Sequence, residues 1–337
     1  MEKVLSIIIP TYNMEKYIGK CLESLIVDNM DLLEVLVIND GSKDQSSEIA
    51  HKFETKYPKT FKVIDKENGN YGSCINRGLE EATGKYIKIL DADDSFYTEN
   101  LYNYINNLKE IDVDLIITDF ISVDEFDNEL NKSNYKLPVS KILDLSKAFK
   151  EKNMNFLISM HAITYKRQNI LDINYKQTEG ISYTDMEWVY TPMTTVKKGI
   201  YYNLPLYKYL LGRPGQTMDA SIRKKQIPQL MKMSISLSQR YETNTNEDYE
   251  HYLKFIVISQ LSQIYKQGLI DEYYDIELLR NFDNELKSIS PDLYNTISNI
   301  EKCKIKYINY WRKHQMKLLP KYMKFYFKIK NAITHFL

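Results

Sequence analysis

Short apolar runs alternate with helix-patterned stretches through the first third of the chain. Val4 to Ile9 is an apolar run closed by Pro10, the signature of a buried strand. A helical spacing of Tyr17, Ile18, Cys21, Leu22 and Leu25 follows, with Asn13 as its expected cap. Leu33 to Ile38 is a second strand. A helix is expected from Asp44 to Phe53, a third strand from Phe61 to Ile64, and a helix from Ser73 to about Ala82. Tyr86 to Leu90 is the fourth strand. Strands recurring about every 25 to 30 residues with helices between them imply a parallel sheet with right-handed crossovers. Further on, Leu101 to Leu108 is patterned as a helix, Val113 to Thr118 as a strand, and residues 120–140 as a polar insertion. From Ile227 onward the apolar spacing is helical.

The chemistry collects where strands end. The fourth strand stops abruptly at Asp91-Ala92-Asp93-Asp94. Alone, such a cluster is more often a solvated acidic turn than a site. A helix-loop-helix calcium loop starting at Asp91 would need Gly and Glu at its sixth and twelfth positions, which here are Phe96 and Tyr102. Parallel connectivity, however, puts Thr11-Tyr12-Asn13, Asp40-Gly41-Ser42 and Asp91-Ala92-Asp93 on one edge of the sheet, where open α/β sheets bind ligands. Asp91 and Asp93 there form an Asp-x-Asp pair able to hold one hard divalent cation, and Asp40 becomes an acceptor for a base or ribose donor group. The chain has neither Gly-x-Gly-x-x-Gly after its first strand nor a P-loop, so a cation would have to neutralise bound phosphates.

Several stretches, in order and at matching spacings, resemble the nucleotide-binding half of family 2 glycosyltransferases with the GT-A fold. They are Ile9 to Asn13, Asn39 to Asp44, Asn68-Gly69, Gly78-Leu79, Ala82 to Ile87 and Leu90 to Asp94. The resemblance implies an α/β GT-A fold, Rossmann-like with a mostly parallel central sheet, followed by a helical C-terminal region. It also implies a nucleotide-sugar donor, UDP-linked on family frequency, and Mg2+ or Mn2+ held through Asp91 and Asp93. Donor contacts would come from Pro10, Thr11, Tyr12, Asp40, Asn76, Ala92 and Asp93. The family's usual small-Arg-Asn triplet is Cys74-Ile75-Asn76 here, and the arginine is Arg77, two positions and about 200° round the helix. Asn76 carries over; the arginine's role does not. Thr184-Asp185 matches the acidic pair at a helix start that carries the base, making Asp185 the candidate, with Glu187 as understudy. Their local reading is simpler: Thr184 as a cap with acidic residues in the first turn. Arg213, in the loop after Tyr209, would meet the diphosphate.

Composition changes the picture only at the C-terminus. Net charge is zero across 337 residues, but no acidic residue follows Glu301, whereas ten lysines and arginines do. From Leu319, apolar residues (Leu319, Tyr322, Met323, Tyr326, Ile329, Ile333, Leu337) and a lysine-rich face share a helical rhythm. This suggests an interfacial helix on an anionic membrane surface, against the alternative of a terminal helix docked on its own domain. No basic patch outside the tail points to nucleic acid. The three scattered cysteines exclude a disulfide framework or zinc ribbon. With no signal peptide or spanning segment, the expected location is cytoplasmic, peripheral on the inner membrane face.

The resulting expectation divides the chain into residues 1–217, the GT-A domain (1–95 nucleotide-sugar half, 96–217 acceptor half), and 218–337, helical with a basic tail. The function expected is an inverting, metal-dependent glycosyltransferase acting on a saccharide or lipid-linked saccharide acceptor, with a homo-oligomer among the expected states. A sugar nucleotidyltransferase is the rival enzyme, but it should carry a Gly-rich basic loop where Pro10-Thr11-Tyr12-Asn13 stands. A non-catalytic binding subunit would be expected to lose Asp91, Asp93 or Asp185, and all three are present.

Overall fold

A computed structural model describes residues 2–151, 156–181, 184–213, 215–216, 220–271, 275–314, 319–323, 325 and 327. The chain forms two units, Met1–Gln216 and Thr217–Leu337. The first begins β1 (Leu5–Thr11), α1 (Ile18–Glu23), β2 (Leu33–Asn39), α2 (Ser46–Lys56), β3 (Phe61–Asp65), α3 (Asn70–Glu81) and β4 (Tyr86–Ile89). It continues with β5 (Ser95–Phe96), α4 (Thr98–Glu110), β6 (Leu115–Val123), β7 (Glu129–Lys132), β8 (Ile142–Asp144) and α5 (Leu145–Lys150). It closes with β9 (Ile163–Lys166), α6 (Arg167–Asp172), α7 (Asp185–Tyr190) and β10 (Lys198–Leu210).

The sheet runs β3-β2-β1-β4-β9-β6-β10-β5, with β7 beside β6 and β8 beside β10. β3, β2, β1 and β4 are mutually parallel, as the crossover pattern requires. β9 breaks the pattern, entering antiparallel between β4 and β6, while β6 and β10 pair in parallel. The fold is therefore mixed α/β with a mostly parallel sheet. Residues 120–140 are not simply an insertion: β6 continues to Val123, and the exposed β7 pairs back onto it.

Two motifs have structural jobs. At Gly78 a Cβ would sit 2.4 Å from Ile8 Cγ2, so α3 reaches β1 only because that side chain is missing. Glu34 takes hydrogen bonds from the Ser6 hydroxyl (2.6 Å), Thr83 N–H (2.7 Å) and Thr83 hydroxyl (2.9 Å), while Gly84 N–H donates to Ser6 Oγ (2.8 Å). The Ala82-Thr83-Gly84 turn thereby feeds β4 into register beside β1. Asn13 is not the cap of α1. It adopts φ +53°, and its Oδ1 accepts from Lys43 N–H (2.8 Å), stitching the first strand end to the second.

The second unit is α8 (Ala220–Glu242), α9 (Glu250–Leu269), α10 (Ile276–Ile289), α11 (Pro291–Ile297) and α12 (Tyr307–Lys313). Its polar core is the Arg312–Asp283 ion pair, with Tyr265 donating to Asp283 (2.5 Å). Leu319, Met323 and Phe327 are buried, and the Phe327 ring meets Tyr307 at 6.1 Å. The start of the tail thus packs on its own unit, leaving Tyr322 and Phe325 at 70% and 66% exposure. Tyr326, Ile329, Ile333 and Leu337 lie outside the described residues. Among those described, no helix is long and apolar enough to cross a membrane.

Candidate active site

β4 delivers its carboxylates into a tight turn closed by Asp94 N–H donating to the Asp91 carbonyl (2.9 Å). Like charges this close repel, and each carboxylate has a different counterweight. Asp94 is buried and accepts from Tyr207 OH (2.6 Å) and Leu210 N–H (2.7 Å). Tyr207 OH also accepts from Asp91 N–H (3.1 Å), so one hydroxyl on β10 clasps both ends of the turn. Asp91 accepts from Tyr71 OH on α3 (2.8 Å). Asp93 pairs with Arg213 Nε (2.5 Å), whose guanidinium lies 5.4 Å from the Tyr17 ring. Burial, then the Asp93 and Asp91 charges, push Asp94 well above the usual carboxylate range; burial and Asp93 also raise Asp91.

The structure brings two further candidate ligands to Asp91. A carboxylate oxygen from each of Asp91 and Asp94 and a ring nitrogen of His161 lie within 4.8 Å of one another, while Asp93 is the partner of Arg213. The turn's own hydrogen bond brings Asp94 back to Asp91, which the Asp-x-Asp spacing alone does not reveal. Ala92 is buried in the core behind the turn.

His161 is held just before β9. Its Nδ1 bonds Ser159 Oγ (2.7 Å), and its ring stacks on Tyr209 at 4.3 Å. The fully buried Lys88 of β4 donates to the carbonyls of His161 (2.8 Å) and Ile163 (3.1 Å), fastening this turn to the sheet. Burial lowers Lys88 to about 7; burial and the nearby ammonium lower His161 to about 3, so the imidazole is neutral.

On the other side of the carboxylates stand the residues of β1 and β2. Thr11 is buried with its hydroxyl on the Ile9 carbonyl (3.2 Å), Pro10 is half-buried beside it, and Tyr12 is 45% exposed. Asp40 is buried and accepts from Lys66 Nζ (2.6 Å) and Gly69 N–H (2.9 Å).

Asp185 starts α7, near enough to Asp91 for the two carboxylates to raise the Tyr71 hydroxyl and for Asp185 to raise Asp91. Burial raises Asp185 itself. Two expectations around it are corrected. Thr184 makes no side-chain cap; its hydroxyl accepts from Gln177 Nε2 (2.7 Å). Glu187 is fully buried and accepts from Thr178 N–H (2.6 Å) and hydroxyl (2.7 Å), which leaves it no role as a base. The half-buried Asn76 brackets Gln177 with its amide, accepting from Gln177 N–H (2.8 Å) and donating to the Gln177 carbonyl (2.9 Å), and donates to Glu179 Oε1 (2.8 Å). Arg77 pairs with Glu80 and Glu81 on the outside of α3.

Carboxylates and Arg213 gathered at the C-terminal edge of a mostly parallel sheet, beside the buried Asp40 at the end of β2, define a GT-A-type domain. Residues 6–170 match the sequence profile of glycosyl transferase family 2, and this part of the chain is a member of that family. It is 30% identical over 216 residues to the uncharacterized glycosyltransferase YibD of Escherichia coli, covering 61% of each chain. The match therefore spans about three-fifths of that relative. Residues 1–349 of S. aureus TarS, solved with UDP-GlcNAc, share the fold with a TM-score of 0.68 at 19% identity, over 93% of this chain and 88% of that fragment. Mannosyltransferase PcManGT from Pyrobaculum calidifontis, solved with GDP-Man and Mn2+, gives 0.50 at 14% identity, over 88% and 83%.

Glu187 and Asp185 should separate cleanly by stability. Glu187→Gln leaves Thr178 with a poorer acceptor and should lower the unfolding free energy in urea by about 1–3 kcal/mol. Asp185 has a raised folded pKa, so its charge opposes folding above the unfolded pKa and that cost fades as pH falls. Asp185→Asn should therefore cost no stability at pH 7, and a loss matching that of Glu187→Gln would show Asp185 to be structural.

Proposed function

We propose that the protein is an inverting, metal-dependent glycosyltransferase that moves a sugar from a UDP-sugar to an acceptor hydroxyl, in assembly of a cell-surface polysaccharide. The observation that carries this reading is the gathering of Asp91, Asp93, Asp94 and Asp185 beside Arg213 on one sheet edge. UDP-GlcNAc in TarS and Mn2+ with GDP-Man in PcManGT support the donor class and the metal.

The oxygen-rich set with one imidazole fits Mn2+ or Mg2+. Asp91, Asp94 and His161 would hold it, joined by Asp93 when Arg213 turns to the diphosphate. Bound there, the cation would neutralise charge on the departing nucleoside diphosphate. The remaining work belongs to the chain. Asp40 accepts from the base, Pro10, Thr11 and Ala92 shape the nucleoside pocket, and the exposed Tyr12 ring offers it a stacking face. Asp185 takes the proton of the acceptor hydroxyl as its oxygen attacks the anomeric carbon from the face opposite the leaving group.

For donor and metal, UDP with Mn2+ together should raise the melting temperature far more than either alone, because ligands that bind only the folded state stabilise it. Asp93→Ala should abolish that joint effect, and an undiminished effect would remove Asp93 from the site. For the base, Asp185→Asn should slow transfer about 10²-fold or more with UDP affinity unchanged. The wild-type rate should fall as pH drops through the Asp185 pKa, which burial places above the ordinary carboxylate range. Equal losses in binding and rate would argue against a base.

The tail is proposed to rest on the anionic inner face of the membrane, with Tyr322, Phe325 and Lys321 exposed at its start. Sedimentation with phosphatidylglycerol vesicles should be lost in Tyr322→Ser/Phe325→Ser with the melt unchanged; retained sedimentation, or a collapsed melt, would refute it.

A further inference from the structure

A cavity of about 630 Å³ opens at the end of β6, walled by Phe120, Ser133, Tyr135, Lys136, Phe156 and Ser159. That volume suits a small ligand, and its place in the sheet says which one. The strand order β2-β1-β4-β9-β6 puts β4 and its carboxylates in the middle. Thr11 and Asp40 end β1 and β2 on one side; Phe120, in β6, and the turn before β9 lie on the other. Two wall residues touch the ring that converges with Asp91 and Asp94: Ser159 Oγ bonds His161 Nδ1 (2.7 Å), and Phe120 meets the imidazole at 5.2 Å.

The lining sets the rings of Phe120, Tyr135 and Phe156, with Leu137 and Leu157, against the polar Ser133, Asn134, Lys136 and Ser159. The Tyr135 and Phe156 rings lie 5.7 Å apart, and Ser159 N–H donates to Tyr135 OH (3.2 Å), so the platform is fixed before any ligand arrives. Behind the wall, the buried Asp119 takes hydrogen bonds from Tyr201 OH (2.9 Å) and Ser133 Oγ (3.3 Å), orienting the serine. Among the described lining residues there is no carboxylate, and Lys136 carries the one full charge. A pyranose has the complementary pair of surfaces, a face of C–H bonds and an edge of hydroxyls.

We infer that this cavity is the acceptor subsite, and that it selects a pyranose laid on the Phe120, Tyr135 and Phe156 rings with hydroxyls toward Ser133 and Ser159. The inference rests on the glycosyltransferase reading and names the acceptor side of the same site. Lys136 at the rim makes a neutral or anionic sugar acceptable and disfavours a cationic one.

Saturation-transfer NMR on the full chain with UDP and Mg2+ tests it, using methyl glycosides of glucose, galactose and N-acetylglucosamine, with myo-inositol and glycerol 1-phosphate as comparators. At least one pyranoside should show saturation on its ring C–H protons, and replacing Mg2+ by Mn2+ should broaden those signals. Phe156→Ala should weaken binding about fivefold, the order of one aromatic contact, and Phe156→Trp should restore it. The inference falls if no pyranoside binds, if a comparator is preferred, if Mn2+ causes no broadening, or if a folded Phe156→Ala binds as wild type. Failure of the donor reading shows separately, as UDP giving no rise in melting temperature, and the Phe156 comparison still decides on the cavity.

Discussion

Everything at the site follows from the repulsion among the carboxylates crowded into one turn after β4. Left in water, that cluster would spread. Here Asp94 is buried and fixed by Tyr207 and the Leu210 N–H, Asp91 is steadied by Tyr71, and Asp93 is neutralised by Arg213. Burial makes these charges more costly and their partners more valuable, since the low local dielectric strengthens attraction and repulsion alike. The three counterweights come from α3, β10 and the loop after β10. The turn therefore holds its shape only when all three elements are docked.

The same economy of parts links the two carboxylate centres. α3 supplies Tyr71 to Asp91 and, one turn on, uses Asn76 to bracket Gln177 in the segment that leads to Asp185. Its Gly72 lies so close that a Cβ would be 2.0 Å from the Thr178 carbonyl. Thr178 in turn is gripped by Glu187 of α7. Asp91 and Asp185 are thus spaced by one rigid helix rather than by a loop, and preorganisation of that kind is what proton transfer and leaving-group stabilisation require.

The strands, their order of appearance and the acidic strand ends were legible because each is written in a few consecutive residues. Asp40, Asp91 and Asp93 read that way as strand-end carboxylates, and the structure puts them just beyond β2 and β4. His161 was not, because it carries no local motif and reaches the carboxylates only through the antiparallel entry of β9, whose run Ile163-Thr164-Tyr165 is too short to announce a strand. The tyrosine excess had no mechanism in the composition, yet Tyr71, Tyr207 and Tyr209 surround the carboxylates, with Tyr207 acting across 116 residues of sequence. Glu187 illustrates the opposite error. Its position matched a functional pattern, but burial gave its carboxylate to Thr178.

The Arg213–Asp93 pair gives the proposed reaction its logic of assembly. Both side chains are only 11% exposed, so neither can be left alone cheaply: removing one partner of a buried pair costs about 3–5 kcal/mol. A cation approaching Asp93 must displace the guanidinium, and a diphosphate approaching Arg213 must strip Asp93 of its partner. Each arrival alone leaves a buried charge uncompensated. Arriving together, on the proposed reading, they would exchange one ion pair for two, metal with Asp93 and phosphate with Arg213, and the residual charges of metal and diphosphate would offset each other. Cooperative loading of metal and donor would then need no second conformation of the sheet and would follow from charge balance around a single ion pair.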